Sequence, residues 1–139
     1  MRAPFVAAVV ALSCVPAALG ADPARGKILY DARCGACHAI AENGPGPRHQ
    51  GLFGCRAATQ PGYAYSEALK ASGIVWNDAT LNRWLADPNA LVPGNIMVVQ
   101  LAPRETERAD LIAFLKAATQ GARSCEPADE PVDTGSGRR

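Results

Sequence analysis

Four segments of this chain are predicted to be helices, and apolar residues recur at helical spacing in three of them. The first helix begins at Asp22-Pro23, where Asp is a typical N-cap and Pro fits the first helical position. Ile28, Leu29 and Ala32 form its apolar face. Gly26 lies inside this helix, where glycine costs about 1 kcal/mol relative to alanine. Gly26 is either tolerated there or allows a close crossing with another helix, and we favour the crossing.

Three more helices are predicted after a loop region that covers residues 38–62. A short helix runs from Tyr65 to Ser72, and the next begins at Asn77-Asp78 and stops at Pro88. The last helix runs from about Pro103 to Thr119, and the charged residues at positions 104, 105, 107, 108 and 110 are expected to form a solvated face. The apolar stripes of the last two helices comprise Leu81, Trp84 and Leu85, and Leu111, Phe114, Leu115 and Ala118.

The two ends of the chain differ in composition from its middle. Residues 1–20 combine one Arg, an apolar run and the small residues Ala18-Leu19-Gly20, which is typical of a secretory signal peptide that is cleaved off. A membrane anchor is the weaker alternative, because the run is short and contains Pro16. Residues 126–139 are rich in Pro, Asp, Glu and Gly and are expected to form a disordered tail. One domain then spans residues 21–125.

The near-equal numbers of basic and acidic residues argue against a protein that binds nucleic acid. The full chain has 14 basic and 13 acidic residues, and removal of residues 1–20 takes Arg2 with it, so the mature chain has 13 of each. A protein that binds nucleic acid would be expected to have a basic stripe, and nothing in this sequence suggests one. No apolar stretch of the mature chain is long enough to span a bilayer. We therefore expect a monomer without stable membrane insertion, whose docking to partners depends on local patches.

The segment Cys34-Gly35-Ala36-Cys37-His38 carries the clearest chemical signal. Two thiols at this spacing, followed directly by a histidine, form the attachment site of a c-type haem. Cys34 and Cys37 would form thioethers with the two vinyl groups, and His38 would bind the iron from one face. Three alternatives fit less well: zinc usually needs a second paired motif, a thioredoxin-like pair needs a βαβ context, and cysteines this close rarely bridge each other. We predict one covalently bound haem c.

A second iron ligand and two supporting contacts are also predicted. Met97 is the only methionine left once Met1 is removed, and its position in a Pro-Gly turn favours iron ligation over core packing. The Pro47 carbonyl is expected to accept a hydrogen bond from Nδ1 of His38, which would fix the tautomer of the ligand. Trp76 is expected to be buried, and a haem propionate would be a suitable acceptor for its indole N–H. His49 is interpreted as a surface loop residue.

In their order along the chain, these residues closely resemble class I cytochrome c, of the mitochondrial and purple-bacterial periplasmic type. The resemblance covers roughly residues 22–119. It is carried jointly by the haem-attachment segment and by Gly26, Tyr30, Gly46-Pro47, Gly51-Leu52-Phe53-Gly54, Pro61-Gly62-Tyr63-Ala64-Tyr65, Gly73-Ile74-Val75-Trp76, Pro93-Gly94-Asn95-Ile96-Met97 and the segment 108–115.

The resemblance implies an all-α cytochrome c fold, in which short helices and loops enclose the haem and the first and last helices cross at Gly26. It also implies iron ligation by His38 and Met97, a Pro47 contact to His38, and propionate contacts from Tyr65 and Trp76. The implied function is one-electron transfer between membrane or periplasmic redox complexes.

The chain departs from this family at several positions. Cys55 stands where the family usually has an arginine near a propionate, Leu69 replaces an asparagine, and Trp84 replaces a tyrosine. Positions that are often basic in the family are here Asn89, Ala90, Ile96 and Pro103, which favours a bacterial partner over a mitochondrial type. Cys55 and Cys125 are the thiols left after haem attachment and removal of residues 1–20, so we predict a disulfide between them, with two free thiols as the alternative.

We therefore predict that this chain is an exported bacterial protein that serves as a mono-haem electron carrier in the periplasm. Ligation by His and Met raises the haem potential and fills both axial positions, and the sequence offers no acid/base or nucleophile constellation, so we do not expect an enzyme. One alternative is a haem peroxidase or ligand-gated haem enzyme in which Met97 dissociates. Another is the electron-accepting subunit of a periplasmic dehydrogenase. Expected partners are membrane oxidoreductase complexes, an oxidase or reaction centre, or a dehydrogenase.

Overall fold

The structure is a computed structural model that describes residues 20–97, 102–121 and 125. The predicted tail, residues 126–139, and residues 1–19 of the predicted signal peptide lie outside the described residues. No helix in the described part of the chain is long and apolar enough to cross a membrane.

Five helices make up the regular structure of the described residues. They are α1 (Pro23–Arg33), α2 (Glu67–Ala71), α3 (Asp78–Ala86), α4 (Pro88–Leu91) and α5 (Glu105–Ala118). The described ranges contain no strand, only one isolated antiparallel bridge between Arg56 and Val75. The predicted all-α fold is confirmed.

The helices begin where side chains cap them. Asp22 accepts hydrogen bonds from the N–H groups of Ala24 and Arg25 and so starts α1. The predicted short helix begins at Glu67, two residues later than expected, because Ser66 is its N-cap. Pro88 does more than end α3: with Asp87 as N-cap, it opens the additional helix α4.

Helices α1 and α5 pack against each other, and Gly26 lies at their contact. A Cβ atom at this position would collide with the carbonyl of Asp110 and come within 2.7 Å of Cβ of Phe114. The close crossing predicted from Gly26 is therefore confirmed. It brings the N-terminal helix, with the cysteines that follow it, against the C-terminal helix.

Two of the charged residues in α5 face this crossing rather than solvent. Asp110 is 6% exposed and Glu107 is 7% exposed, so the prediction of a solvated face is wrong at these two positions. Arg25 donates from Nε to Asp110 over 2.8 Å, and Arg33 donates from Nη1 to Glu107 over 2.9 Å. The carboxylates are buried because arginines of α1 neutralise them across the contact.

The core lies between these helices and α3. Leu111 is fully buried, and Trp76 and Trp84 pack edge to face with ring centroids 5.4 Å apart. Trp76 is 8% exposed, which confirms its predicted burial. This core forms one wall of a large interior cavity.

Candidate functional site

The interior contains a cavity of about 370 Å³ with a largely apolar wall. This volume falls in the range of about 300–1,000 Å³ that is usual for ligand sites. All seven residues predicted to hold or contact the haem line it, namely Cys34, Cys37, His38, Pro47, Tyr65, Trp76 and Met97.

The turn after α1 brings the two thiols and the imidazole to one end of the cavity. Cys37 and His38 donate their backbone N–H groups to the carbonyl of Cys34 over 3.0 and 2.8 Å, which continues the helical coil for one more turn. The thiols of Cys34 and Cys37 are not joined to each other. Burial raises the pKa of Cys34 to about 11, so this thiol is protonated at neutral pH.

The ring of His38 is held by the loop that contains Gly46 and Pro47. Its Nδ1 lies 2.7 Å from the carbonyl of Pro47, where the sequence places this hydrogen bond. A carbonyl can only accept, so Nδ1 carries the proton and Nε2 keeps the lone pair that binds metals. Gly46 makes this approach possible, because a Cβ atom there would lie 2.7 Å from Nδ1.

Met97 lies partly buried in the cavity wall, in the loop that follows α4. Asn95, which is 6% exposed, holds this loop. Its Nδ2 donates to the carbonyls of Pro88 and Val92 over 3.0 and 2.7 Å, and its Oδ1 accepts from the N–H of Met97 over 2.8 Å. Asn95 therefore fixes the backbone from which the thioether projects, a role that the sequence did not assign to it.

Tyr65 and Trp76 also line the cavity. Burial raises the pKa of Tyr65 to about 12, so its hydroxyl keeps its proton at any physiological pH. Both residues therefore offer a neutral hydrogen-bond donor, which is the chemistry that the sequence assigned to them.

Comparison with known proteins identifies the family. The model of the family described as Cytochrome c matches residues 23–119, which is more than half of the chain. The chain belongs to the cytochrome c family. Members of this family carry a covalently bound haem c, and this cytochrome is a mono-haem electron carrier that works with redox partners.

Its relatives include proteins named cytochrome c, cytochrome c2 and cytochrome cH. Cytochrome c from Chlamydomonas reinhardtii is 42% identical over 101 residues, covering 70% of this chain and 90% of the relative. Cytochrome c2 from Rhodomicrobium vannielii is 40% identical over 97 residues, covering 68% and 77%. Among solved structures, cytochrome cH from Methylobacterium extorquens superposes with a TM-score of 0.66 at 42% identity, covering 69% of this chain and 98% of that one.

His49 of this cytochrome is not the surface residue that the sequence predicted. It lines the cavity, and its ring stacks on that of His38 with centroids 4.4 Å apart and planes at 18°. The hydroxyl of Tyr30 lies 3.1 Å from Nδ1 of His49. Burial lowers the pKa of His49 to about 3, and His38 adds to this effect, so the ring is neutral. Its place two residues after Pro47 was the available signal, because Pro47 was already expected to touch His38.

Cys55 and Cys125 come together although 70 positions separate them. Their Cα atoms lie 5.7 Å apart, a usual distance for a disulfide. Cys55 is 2% exposed and lines the cavity, so Cys125 brings the chain beyond α5 back to the cavity wall of this cytochrome.

Zinc is not favoured by this arrangement. Within residues 20–97, 102–121 and 125, no three His, Cys, Asp or Glu side chains come together as a group that could hold a metal ion. A structural zinc site takes four protein ligands.

Proposed function

We propose that this cytochrome transfers single electrons through one haem c that is attached to Cys34 and Cys37 and ligated by His38 and Met97. The observation that carries the proposal is that both thiols, the imidazole and the thioether line the same apolar cavity. This donor set suits a haem c, which Cys34 and Cys37 would hold through thioether bonds and whose iron His38 and Met97 would ligate. When bound, the haem supplies an iron that cycles between two oxidation states.

The chain's own residues prepare this site for electron transfer rather than for substrate chemistry. Pro47 orients His38 and leaves Nε2 available as the ligand atom. Asn95 holds the loop of Met97, whose thioether would be the second protein ligand to the iron. The apolar wall excludes water, which keeps the reorganisation that accompanies each electron transfer small. We infer that the protein is a carrier and not an enzyme.

The visible and near-infrared spectra of the purified protein test this ligation. We expect haem that resists acid-acetone extraction, a sharp α-band in the reduced protein and a weak Met-to-iron charge-transfer band in the oxidised protein. Met97→Ala should keep the covalent haem and lose the charge-transfer band. Ile96→Ala is the matched control, because the neighbouring Ile96 is 61% exposed and should leave the band unchanged. A charge-transfer band that survives in Met97→Ala would contradict the proposed ligation.

Cyanide binding separates the carrier from the ligand-gated enzyme. An iron with two protein ligands should bind cyanide slowly at neutral pH and turn over little peroxide. Neither the family match nor the names of the relatives point to a peroxidase. Rapid cyanide binding by the oxidised wild-type protein would show that Met97 leaves the iron readily, and the carrier function would then be wrong.

We also propose a periplasmic location and partners among bacterial redox complexes, such as an oxidase, a reaction centre or a dehydrogenase. The resemblance of residues 1–20 to a signal peptide supports export, and a bacterial cytochrome c2 and a cytochrome cH are among the relatives. Expression with residues 1–20 intact, followed by osmotic shock and N-terminal sequencing, tests this location. Holoprotein in the shock fluid that begins near Ala21 is expected, and retention of residues 1–20 in the cytoplasm would contradict it.

A further inference from the structure

The ring of His49 stacks on the ring of His38, the proposed iron ligand, in a cavity wall that is otherwise largely apolar. The two ring centroids lie 4.4 Å apart, and the planes meet at 18°. An apolar side chain would fill this place without any polar partner, whereas a buried imidazole needs a hydrogen bond to offset the loss of water. A polar ring at this position therefore indicates a role beyond filling space.

The backbone and the side chain of His49 are both held. Its backbone N–H donates to the carbonyl of Ala39 over 3.0 Å, so its main chain is tied to the residue that follows His38. Its Nδ1 lies 3.1 Å from the hydroxyl of Tyr30. Burial raises the pKa of Tyr30 to about 12, so this hydroxyl keeps its proton and can donate to Nδ1 of a neutral imidazole. The ring of His49 is therefore fixed from two sides.

Tyr30 connects this hydrogen bond to the crossing of α1 and α5. It is 5% exposed and belongs to α1, and its ring lies against that of Phe114 in α5 with centroids 5.1 Å apart. A side chain packed between two helices has little room to move, because protein interiors are close-packed. An unbroken series of contacts thus runs from the helix crossing through Tyr30 and His49 to the ring of His38.

The ring of His38 needs a second restraint, because its hydrogen bond to Pro47 does not fix the ring plane. The torsion that turns an imidazole about its Cβ–Cγ bond has broad energy minima. A hydrogen bond also tolerates a bend of about 30° before it weakens strongly. The Pro47 carbonyl therefore selects the tautomer of His38 and its approximate direction. A flat ring stacked against the imidazole restricts the remaining tilt.

We propose that His49 fixes the plane of the His38 imidazole by stacking on it, and that Tyr30 holds His49 in place. This inference rests on the proposed function, because it requires His38 to ligate the iron of a haem attached at Cys34 and Cys37. His49 is then a positioning residue that acts on the iron only through His38. A ligand plane that keeps one orientation in both oxidation states adds little to the reorganisation that accompanies electron transfer.

Proton NMR of the oxidised holoprotein tests the proposal, because the plane of an axial imidazole determines how far each haem methyl resonance of a paramagnetic haem is shifted. His49→Leu removes the flat ring, and His49→Phe keeps a flat ring but loses the hydrogen bond. Tyr30→Phe removes only the hydroxyl. We expect a changed order or spread of the methyl shifts in His49→Leu, and smaller changes in the same direction in His49→Phe and Tyr30→Phe.

Thr119→Val is the control for the loss of a buried hydroxyl. Thr119 is 6% exposed, its hydroxyl donates to the carbonyl of Leu115 over 2.7 Å, and it does not line the cavity. Its methyl shifts should match those of wild type. The Met-to-iron charge-transfer band is recorded for each variant, so that a changed methyl pattern with the band intact reports on His38 and not on loss of Met97.

Two results would overturn the proposal. One is an unchanged order and spread of the methyl shifts in His49→Leu, which would show that Pro47 alone fixes the ring plane and would leave the electron-carrier function intact. The other is an equal change in His49→Leu and His49→Phe, which would show that stacking of a flat ring is not responsible.

Tyr30→Phe decides the question if His49→Leu does not fold, because it removes a single hydroxyl and keeps the packing of the ring. Unchanged methyl shifts in Tyr30→Phe would then overturn the proposal. Wild-type protein without covalent haem would instead refute both this inference and the proposed function.

Discussion

At the scale of single residues, Ala58 has a backbone conformation that most side chains avoid. It is the one non-glycine residue with a positive φ, 64°, among those that the structure describes. Its neighbours are fixed by hydrogen bonds: Ala57 donates its N–H to the Ile74 carbonyl over 2.7 Å, and Thr59 Oγ1 donates to the Arg56 carbonyl over 2.7 Å. The surrounding contacts of the cavity wall therefore impose a conformation that alanine itself disfavours.

Ala58→Gly should stabilise the protein. A left-handed conformation costs an L-residue about 1–2 kcal/mol, and the greater freedom of glycine in the unfolded chain cancels about 0.5–1 kcal/mol of that gain. We expect a net increase of up to about 1.5 kcal/mol in the free energy of unfolding, measured by denaturant titration of the holoprotein. Ala64→Gly is the control, because Ala64 is exposed and has no positive φ, and this variant should lose stability. Equal losses in both variants would contradict the argument.

At the scale of elements, the crossing of α1 and α5 combines a close backbone contact with buried ion pairs. Gly26 allows the two backbones to approach each other. Arg25 of α1 forms an ion pair with Asp110 of α5, and Arg33 of α1 forms one with Glu107 of α5. Cys34 directly follows α1, so the geometry of this crossing determines where the haem-attachment turn enters the cavity.

Gly26→Ala should therefore destabilise the protein although alanine is the better helix former. Overpacking of this kind costs about 1–3 kcal/mol, which exceeds the helix-propensity gain of about 1 kcal/mol. We expect a lower denaturation midpoint for the holoprotein. Ala24→Leu adds bulk to an exposed position of the same helix and should change stability by less than about 0.5 kcal/mol. A Gly26→Ala protein as stable as wild type would show that the helices can separate without cost.

Acid should weaken the same crossing through Glu107. Arg33 and then Arg104 donate hydrogen bonds that lower the pKa of Glu107 from 4.5 to about 2 in the folded protein. A carboxyl group with a lowered folded-state pKa stabilises the fold above its unfolded pKa. That contribution is lost as the pH falls from about 4.5 to about 2.

Glu107→Gln tests this pH dependence by removing the titrating group. Its free energy of unfolding should be lower than that of wild type at pH 7, and the difference should shrink as the pH falls towards 2. Glu105→Gln is the control, because Glu105 is an exposed acid of the same helix that forms no described ion pair. A constant difference between Glu107→Gln and wild type from pH 7 to pH 2 would contradict this prediction.

At the scale of the whole molecule, we propose that a disulfide between Cys55 and Cys125 ties the chain beyond α5 to the cavity wall. The 5.7 Å between their Cα atoms and the predicted export to an oxidising compartment support this bond. It would close a loop in which the two cysteines are 70 positions apart and which contains α2, α3, α4, α5 and Met97.

Mass spectrometry after alkylation tests the bond in the native holoprotein. We expect no alkylated cysteine before reduction and two afterwards, because the proposed thioether bonds to the haem would keep Cys34 and Cys37 from reacting. Reduction should lower the free energy of unfolding by up to about 4 kcal/mol, the value of the loop-entropy model for a loop of this size. A Cys55→Ser/Cys125→Ser variant should be insensitive to reductant. Two alkylatable thiols in the unreduced native protein would refute the disulfide.

The sequence by itself determined the features whose causes are local. Helix starts follow from capping residues such as Asp22 and Asn77, and the prediction of a haem-attachment turn needs only the spacing of Cys34, Cys37 and His38. Gly26 also made the crossing of α1 with another helix predictable, because glycine inside a helix lowers its stability and a close helix contact can offset that loss.

Only the tertiary structure decided the features that depend on residues distant in the chain. Glu107 looks like a surface charge until α1 brings Arg33 against it, 74 positions away. His49 looks like a loop residue until the chain folds its ring onto His38. The partners of a side chain across a packed interface are set by how the elements assemble, and no local spacing encodes them.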